Sequence, residues 1–350
     1  MTRVRLAVAV PAALCLAAGL VAALALLQLA APSWPAGLAD SHGPLLVAGF
    51  LGVLICLERA VALRRPVALA APVLLGLGCL LALGFPAGRW LAAAGAAGLV
   101  MIYLPLWRRS RDDAVLTQTV GAVALALALV IWAAGAPIPN LVALFAAFVM
   151  LTILGERVEL ARIALPSGFG AGTVLQSLPV LVAAAGVVLW PHAGSIVFGI
   201  CCLLPLLPLV RHDIAWRTAR SAGLPAFMGV CMLAGYGWLL VAALLWAGGA
   251  GAIPAGYDAA VHAVFLGFAM SMVFAHAPVI VPAVFGRRIG WQRWLIAPAV
   301  LLHTSLLGRL WLGDALGIQP ARQICGVLNE AAIVLFAIVV VVSIKREGKR

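Results

Sequence analysis

The chain has 350 residues, 65% of them hydrophobic and only 10% charged, with a mean hydropathy of +1.16. Apolar runs of about 20 residues recur along nearly all of it, which excludes a soluble domain and calls for membrane spans. The net charge of +12 sits mostly in short segments between alternate apolar runs, with no basic stripe interleaved with aromatics. That pattern excludes nucleic acid as a partner and matches the positive-inside rule.

In lipid the backbone must satisfy its own hydrogen bonds, which leaves helices or a closed barrel. Uninterrupted Leu/Ala/Val runs without period-2 alternation exclude the barrel. The first 30 residues carry Arg3 and Arg5 ahead of an apolar part of about 25 residues. This exceeds the ~7–15 residues of a secretory h-region, so the segment reads as helix 1 and not as a removed peptide. Further runs follow at about 43–63, 67–86, 89–107, 114–134, 139–163, 170–190, 194–210, 222–248, 258–285, 294–313 and 323–344. The expectation is an all-α polytopic membrane protein of twelve helices, a single domain over 1–350, with the lipid bilayer as its partner.

Arg3/Arg5, Arg64/Arg65, Arg108/Arg109/Arg111, Arg211/Arg217/Arg220, Arg287/Arg288/Arg293 and the tail KREGKR fall on one side of this pattern. Only Arg89, Arg309 and Arg322 fall on or near the other, which predicts cytoplasmic termini. The seven cysteines lie in or beside apolar runs without a CxxC, so no zinc ribbon or c-type haem attachment is indicated. Adjacent Cys201 and Cys202 read as small packing residues ahead of soft-metal ligands.

An internal echo links helix 2, which ends "ICLERAVALRR", to helix 6, which ends "ILGERVELAR". Glu58-Arg59 matches Glu156-Arg157 at an offset of 98 residues, or four helices. His262 and Gly267-Phe268 in helix 10 echo His42 and Gly49-Phe50 in helix 2 more faintly, with two residues fewer between them. Three four-helix units would account for twelve helices. The Glu-Arg pairs read as inter-helix ion pairs with snorkelling arginines, and a proton entry path is the sharper alternative.

Four of the six histidines, His42, His262, His276 and His303, belong to membrane helices or their edges. Ionisable groups at such depth are costly and face the bundle interior or a cavity. Counted from the neighbouring arginines at ~1.5 Å per residue, His42 and His262 share one height, while His276 and His303 share another. Fourteen residues separate His262 from His276; at regular helical pitch the two lie only about 40° apart, on one face. Paired histidines from different helices are what a six-coordinate b-type haem needs; polar glue between helices is the alternative for each of them. Gly43, Gly49, Gly52 and Gly267 either leave room for a flat cofactor or let helices pack closely. Asp40 and Asp258 are candidate acceptors that would orient the His42 and His262 rings. Arg309 needs a counter-charge, a haem propionate or Glu330.

"SHGPLLVAGFLGVLICLERAVAL" (Ser41–Leu63) and "VHAVFLGFAMSMVFAHAPVIVPAVFG" (Val261–Gly286) resemble the signature helices of NnrS-like membrane proteins. Those are twelve-helix, haem- and copper-containing relatives of the haem–copper oxidase catalytic subunit, associated with bacterial nitric-oxide stress. The resemblance covers roughly 50 residues. It implies haem b held by His42 and His262; His276 and His303, paired by height alone, could hold a second haem, a copper ion or nothing. It further implies a bacterial inner-membrane location, a respiratory electron donor, and a role in electron transfer or nitric-oxide response. Helices 6 and 7 contain no histidine, so the oxidase copper site cannot form there and an oxidase mechanism is not expected. The rival readings are a proton-coupled secondary transporter using buried His, Glu and Arg residues, and an assembly partner of a respiratory complex.

Overall fold

The protein, seen here as a computed structural model, is described over residues 2–29, 37–162, 164–287 and 289–347. Arg288 and residues 348–350, which enter the charge pattern, lie outside the described residues, as do the side chains of Arg3, Lys345 and Arg346. Among the described residues the secondary structure is helical throughout. Eleven helices are long and apolar enough to cross a membrane. In chain order the first six elements are α1 (Val4–Leu26), α2 (Ala39–Leu63), the shorter α3 (Pro66–Leu81), α4 (Ala87–Ser110), α5 (Asp113–Ala133) and α6 (Ile138–Ala161). Then come α7 (Phe169–Leu189), α8 (Pro191–His212), α9 (Gly223–Ala247), α10 (Pro254–Phe285), α11 (Arg293–Ala315) and α12 (Gln319–Ile344).

The protein is a multi-pass helical membrane protein. Its helices turn large apolar side chains outward, among them Met101, Leu175, Val182, Leu307 and Ile338, a surface suited to lipid and costly in water. Exposed Trp90, Trp190, Trp294 and Trp311 lie near helix ends, where amphipathic rings favour the membrane interface. The third predicted segment is shorter than expected: it stops at Leu81, where the chain turns through Ala82–Gly84 before Pro86 leads into α4.

The chain divides into two compact units, residues 1–162 with 166–194, and residues 163–165 with 195–350. The first unit holds α1 to α7. Its helices approach closely through glycines, as lipid-embedded helices do when dispersion replaces the hydrophobic effect. A Cβ on Gly78 would lie 2.7 Å from the Ala92 Cα, and one on Gly95 would lie 2.6 Å from the Leu75 Cα, so α3 and α4 touch backbone to backbone. Gly121 and Gly155 do the same for α5 and α6. Helix α6 is the most enclosed span, with 83% of its apolar window buried. Asp112 caps α5 by accepting from the Ala114 N–H at 3.0 Å, satisfying one orphan donor of the first turn.

The second unit begins within α8 and holds α9 to α12. Tyr236 donates to Asp213 at 2.6 Å, tying α9 to the loop that follows α8. Asn329 of α12 bonds the Ser305 hydroxyl of α11 at 2.7 Å, and Phe274 stacks on Phe336 at 4.0 Å between α10 and α12. Helix α10 runs through Pro278 and Pro282 to a left-handed Gly286 (φ +65).

Three spans contain π-helical stretches: Leu45–Gly52 in α2, Ala263–Ala269 in α10 and Arg309–Ala315 in α11. Two of them follow His42 and His262 within three residues, and they contain the Gly49-Phe50 and Gly267-Phe268 pairs. The fainter sequence echo therefore has a backbone counterpart.

Candidate functional site

In the first unit, Ala39–Ser41 forms a 3-10 turn that leads into His42 at the start of α2. The His42 Nδ1 lies 3.0 Å from the Gly19 carbonyl of α1. A carbonyl only accepts, so Nδ1 carries the proton and the neutral ring has its lone pair on Nε2. The small residues around it are used for packing. Gly49 lies against Cys15 and Cys79, and Gly52 against Leu75 and Leu125.

In the second unit, the His262 Nδ1 donates to the Asp258 carbonyl at 2.8 Å and lies 3.4 Å from its carboxylate. Asp258 thus orients the ring, as its position four residues earlier suggests, and Nε2 again holds the lone pair. The same carboxylate takes Arg309 at 3.0 Å and Arg322 at 3.5 Å, and Arg322 reaches Asp314 at 3.7 Å. Helices α10, α11 and α12 are joined through this network. The sequence suggests Glu330 or a propionate opposite Arg309; its ion-pair partner among the described residues is Asp258. The Glu330 Oε1 is buried and has no hydrogen-bond partner among the described residues. Arg309 begins the π stretch of α11.

His276 is buried and donates from Nδ1 to the Met272 carbonyl at 2.8 Å, so its lone pair too is on Nε2. His303 is different. Its Nδ1 accepts the indole N–H of Trp238 at 3.0 Å, with the two rings within 11° of parallel. The indole can only donate, so the proton of neutral His303 is on Nε2 and neither nitrogen offers a lone pair. Trp238 occupies the space left by Gly267, where a Cβ would lie 2.9 Å from the indole Cδ2. Trp238→Phe is expected to cost about 1 kcal/mol, the net worth of one hydrogen bond, read as a lowered Tm in detergent.

The expectation that one face of α10 carries both His262 and His276 does not hold. The π stretch Ala263–Ala269 lies between them. Its i→i+5 bonding takes up an extra residue, about 100° of rotation, and moves the rings from near alignment to about 140° apart.

The Glu-Arg echo is realised as contact. Arg59 bonds Glu58 at 2.8 Å, Glu156 at 3.4 Å and Glu159 at 3.4 Å, so the two halves of the 98-residue repeat meet. Sequence reasoning misses Tyr103 and Gln118 beside them, and Asp314 in the second unit. Tyr103 and Asp314 are single polar residues inside apolar runs, and that isolation is the signal by which they could be found, whereas Gln118 sits in a Thr-Gln-Thr triplet.

Among the described residues no group of three or more His, Cys, Asp or Glu has the geometry of a metal site, and the seven cysteines are free thiols. No curated protein and no solved structure matches the chain. A family model does, over residues 5–345, and the chain belongs to that family, described as a domain of unknown function (DUF8744).

Proposed function

We propose that this is a twelve-span protein of the bacterial inner membrane with both termini cytoplasmic, which binds a b-type haem through His42 and His262. Its role on this reading is electron transfer or nitric-oxide response, with a respiratory electron donor. One observation carries the reading. Both rings commit Nδ1–H to a backbone carbonyl, Gly19 for His42 and Asp258 for His262, which leaves Nε2 as the basic nitrogen, the arrangement that metal-ligating histidines use. A π stretch follows each histidine, and such stretches recur at functional sites.

Bound haem would supply one-electron chemistry. The chain's own residues fix ring tautomers and orientation: Gly19 and Asp258 hold the protons on Nδ1, and Arg309 and Arg322 hold the Asp258 carboxylate in place. Arg309 already has that carboxylate as counter-ion, so it acts on this reading through Asp258. His276 fits a further haem or copper ligand by the same donor logic. His303, with Trp238 on its Nδ1, does not.

An optical redox spectrum of the purified protein tests this. The expected result is a Soret band that is lost in His42→Ala and His262→Ala and kept in His192→Ala. A protein without a Soret band, or an unchanged spectrum in His262→Ala, would falsify the reading. The second reading, a proton-coupled secondary transporter, draws on the buried Asp258–Arg309 and Arg59–Glu156 pairs. Substrate-dependent flux through a haem-free preparation would favour it.

A further inference from the structure

The C-terminal ends of α2 and α4 meet at one end of the first unit, where Arg109 donates to the Ala62 carbonyl at 3.3 Å. That contact gathers five exposed arginines: Arg64 and Arg65 just past α2, and Arg108, Arg109 and Arg111 around the end of α4. Their neighbours Arg59 and Arg162 are matched with carboxylates, Arg59 with Glu58, Glu156 and Glu159, and Arg162 with Asp112. The five are in no ion pair among the described residues. Like charges this close repel one another, and a bound anion relieves the repulsion.

The surroundings say which anion fits. Met101, Leu104, Arg108 and Arg111 follow one another at steps of three and four residues, so they share one face of α4 and its end. All four are exposed. That face is apolar and then basic, the order in which a lipid presents its acyl chain and an anionic headgroup. The Arg111 guanidinium lies 4.7 Å from the centre of the Trp107 ring. Such a contact holds the guanidinium in place, while its N–H donors fan out in a fork that matches phosphate oxygens. Arg64 and Arg111 also take left-handed conformations, with φ of +59° and +53°, at helix ends where glycine is the usual residue. Capping alone would favour glycine at both. Arginines near a helix C-terminus can answer its carbonyls, yet Arg109 is the one of the five whose side chain does so among the described residues.

We propose that this arginine cluster binds the phosphodiester headgroup of an anionic phospholipid, with an acyl chain lying along Met101 and Leu104. The site lies wholly within the first unit and does not depend on haem binding.

Native mass spectrometry of the full chain in detergent, titrated with phosphatidylglycerol or phosphatidylcholine, tests it. The expected result is a first phosphatidylglycerol that binds at least tenfold tighter than phosphatidylcholine. Arg108→Gln/Arg111→Gln should weaken it roughly thirty-fold, as the loss of two near-surface arginines implies. Arg217→Gln/Arg220→Gln, which removes two exposed arginines of the second unit, should leave it unchanged. Equal affinity for the two lipids overturns the proposal, and so does a control variant that weakens binding as much as the test variant. Displacement by inorganic phosphate, but not by chloride at equal ionic strength, would make free phosphate the ligand and overturns it too. If Arg108→Gln/Arg111→Gln does not yield monodisperse protein, Arg64→Gln/Arg65→Gln must weaken phosphatidylglycerol binding, and unchanged binding overturns the proposal equally.

Discussion

Gly95→Val is expected to prevent stable folding of the first unit, and Gly95→Ala to lower stability by about 3 kcal/mol, at the upper end of ordinary overpacking costs. The added carbon would lie 2.6 Å from the Leu75 Cα and 2.7 Å from its Cβ, and closer still to the Leu75 backbone nitrogen. Backbone atoms cannot swing aside as a side-chain tip can, so α3 and α4 would have to separate along their length. Gly78 faces Ala92 in the same way from the other helix, so the close approach has no slack to take up. Gly186→Ala in α7 is the control. Nothing lies within 4 Å of the point its Cβ would occupy, and helix propensity favours alanine there by up to about 1 kcal/mol. Thermal unfolding in detergent should move in opposite directions for the two alanine variants. A Gly95→Ala protein as stable as wild type would show that α3 and α4 do not touch as described.

Arg309→Met is the second large effect, with an expected loss of about 3–5 kcal/mol, because removing one partner leaves a buried charge behind. Arg309 is 7% exposed, and its 3.0 Å pair with Asp258 is the shortest ion pair in its network. Adding Asp258→Leu should restore much of the loss, since replacing both ions removes the desolvation penalty with the attraction. The recovery will be partial, because Asp258 also holds Arg322 and the His262 ring. A double-variant cycle in the same unfolding assay gives the coupling, and simple additivity would argue against a direct pair.

Much of the fold is legible in the sequence because lipid imposes it. Runs such as Leu141–Leu154 can only be satisfied as helix, and each predicted segment forms one in the structure. The 98-residue echo is also readable, since Glu58-Arg59 and Glu156-Arg157 are dipeptides of charge in apolar surroundings. Other features are out of reach. The pairing of Arg309 with Asp258 spans 51 residues, and height along a helix does not choose among carboxylates at similar levels. The role of Trp238 on His303 depends on which way an indole turns in the gap at Gly267. The π stretches cannot be read because Leu45–Gly52 and Ala263–Ala269 are apolar at every position, so the phase shift they introduce meets no polar face that would reveal it.

Those stretches bear on how the chain can change length. A plain spanning helix tolerates a one-residue deletion poorly, since every later side chain rotates to a new face. Leu45–Gly52 and Ala263–Ala269 each carry the equivalent of one inserted residue already accommodated. They mark the places where family members can differ by a single residue, and a homologue one residue shorter there should carry an unbroken α-helix past its histidine.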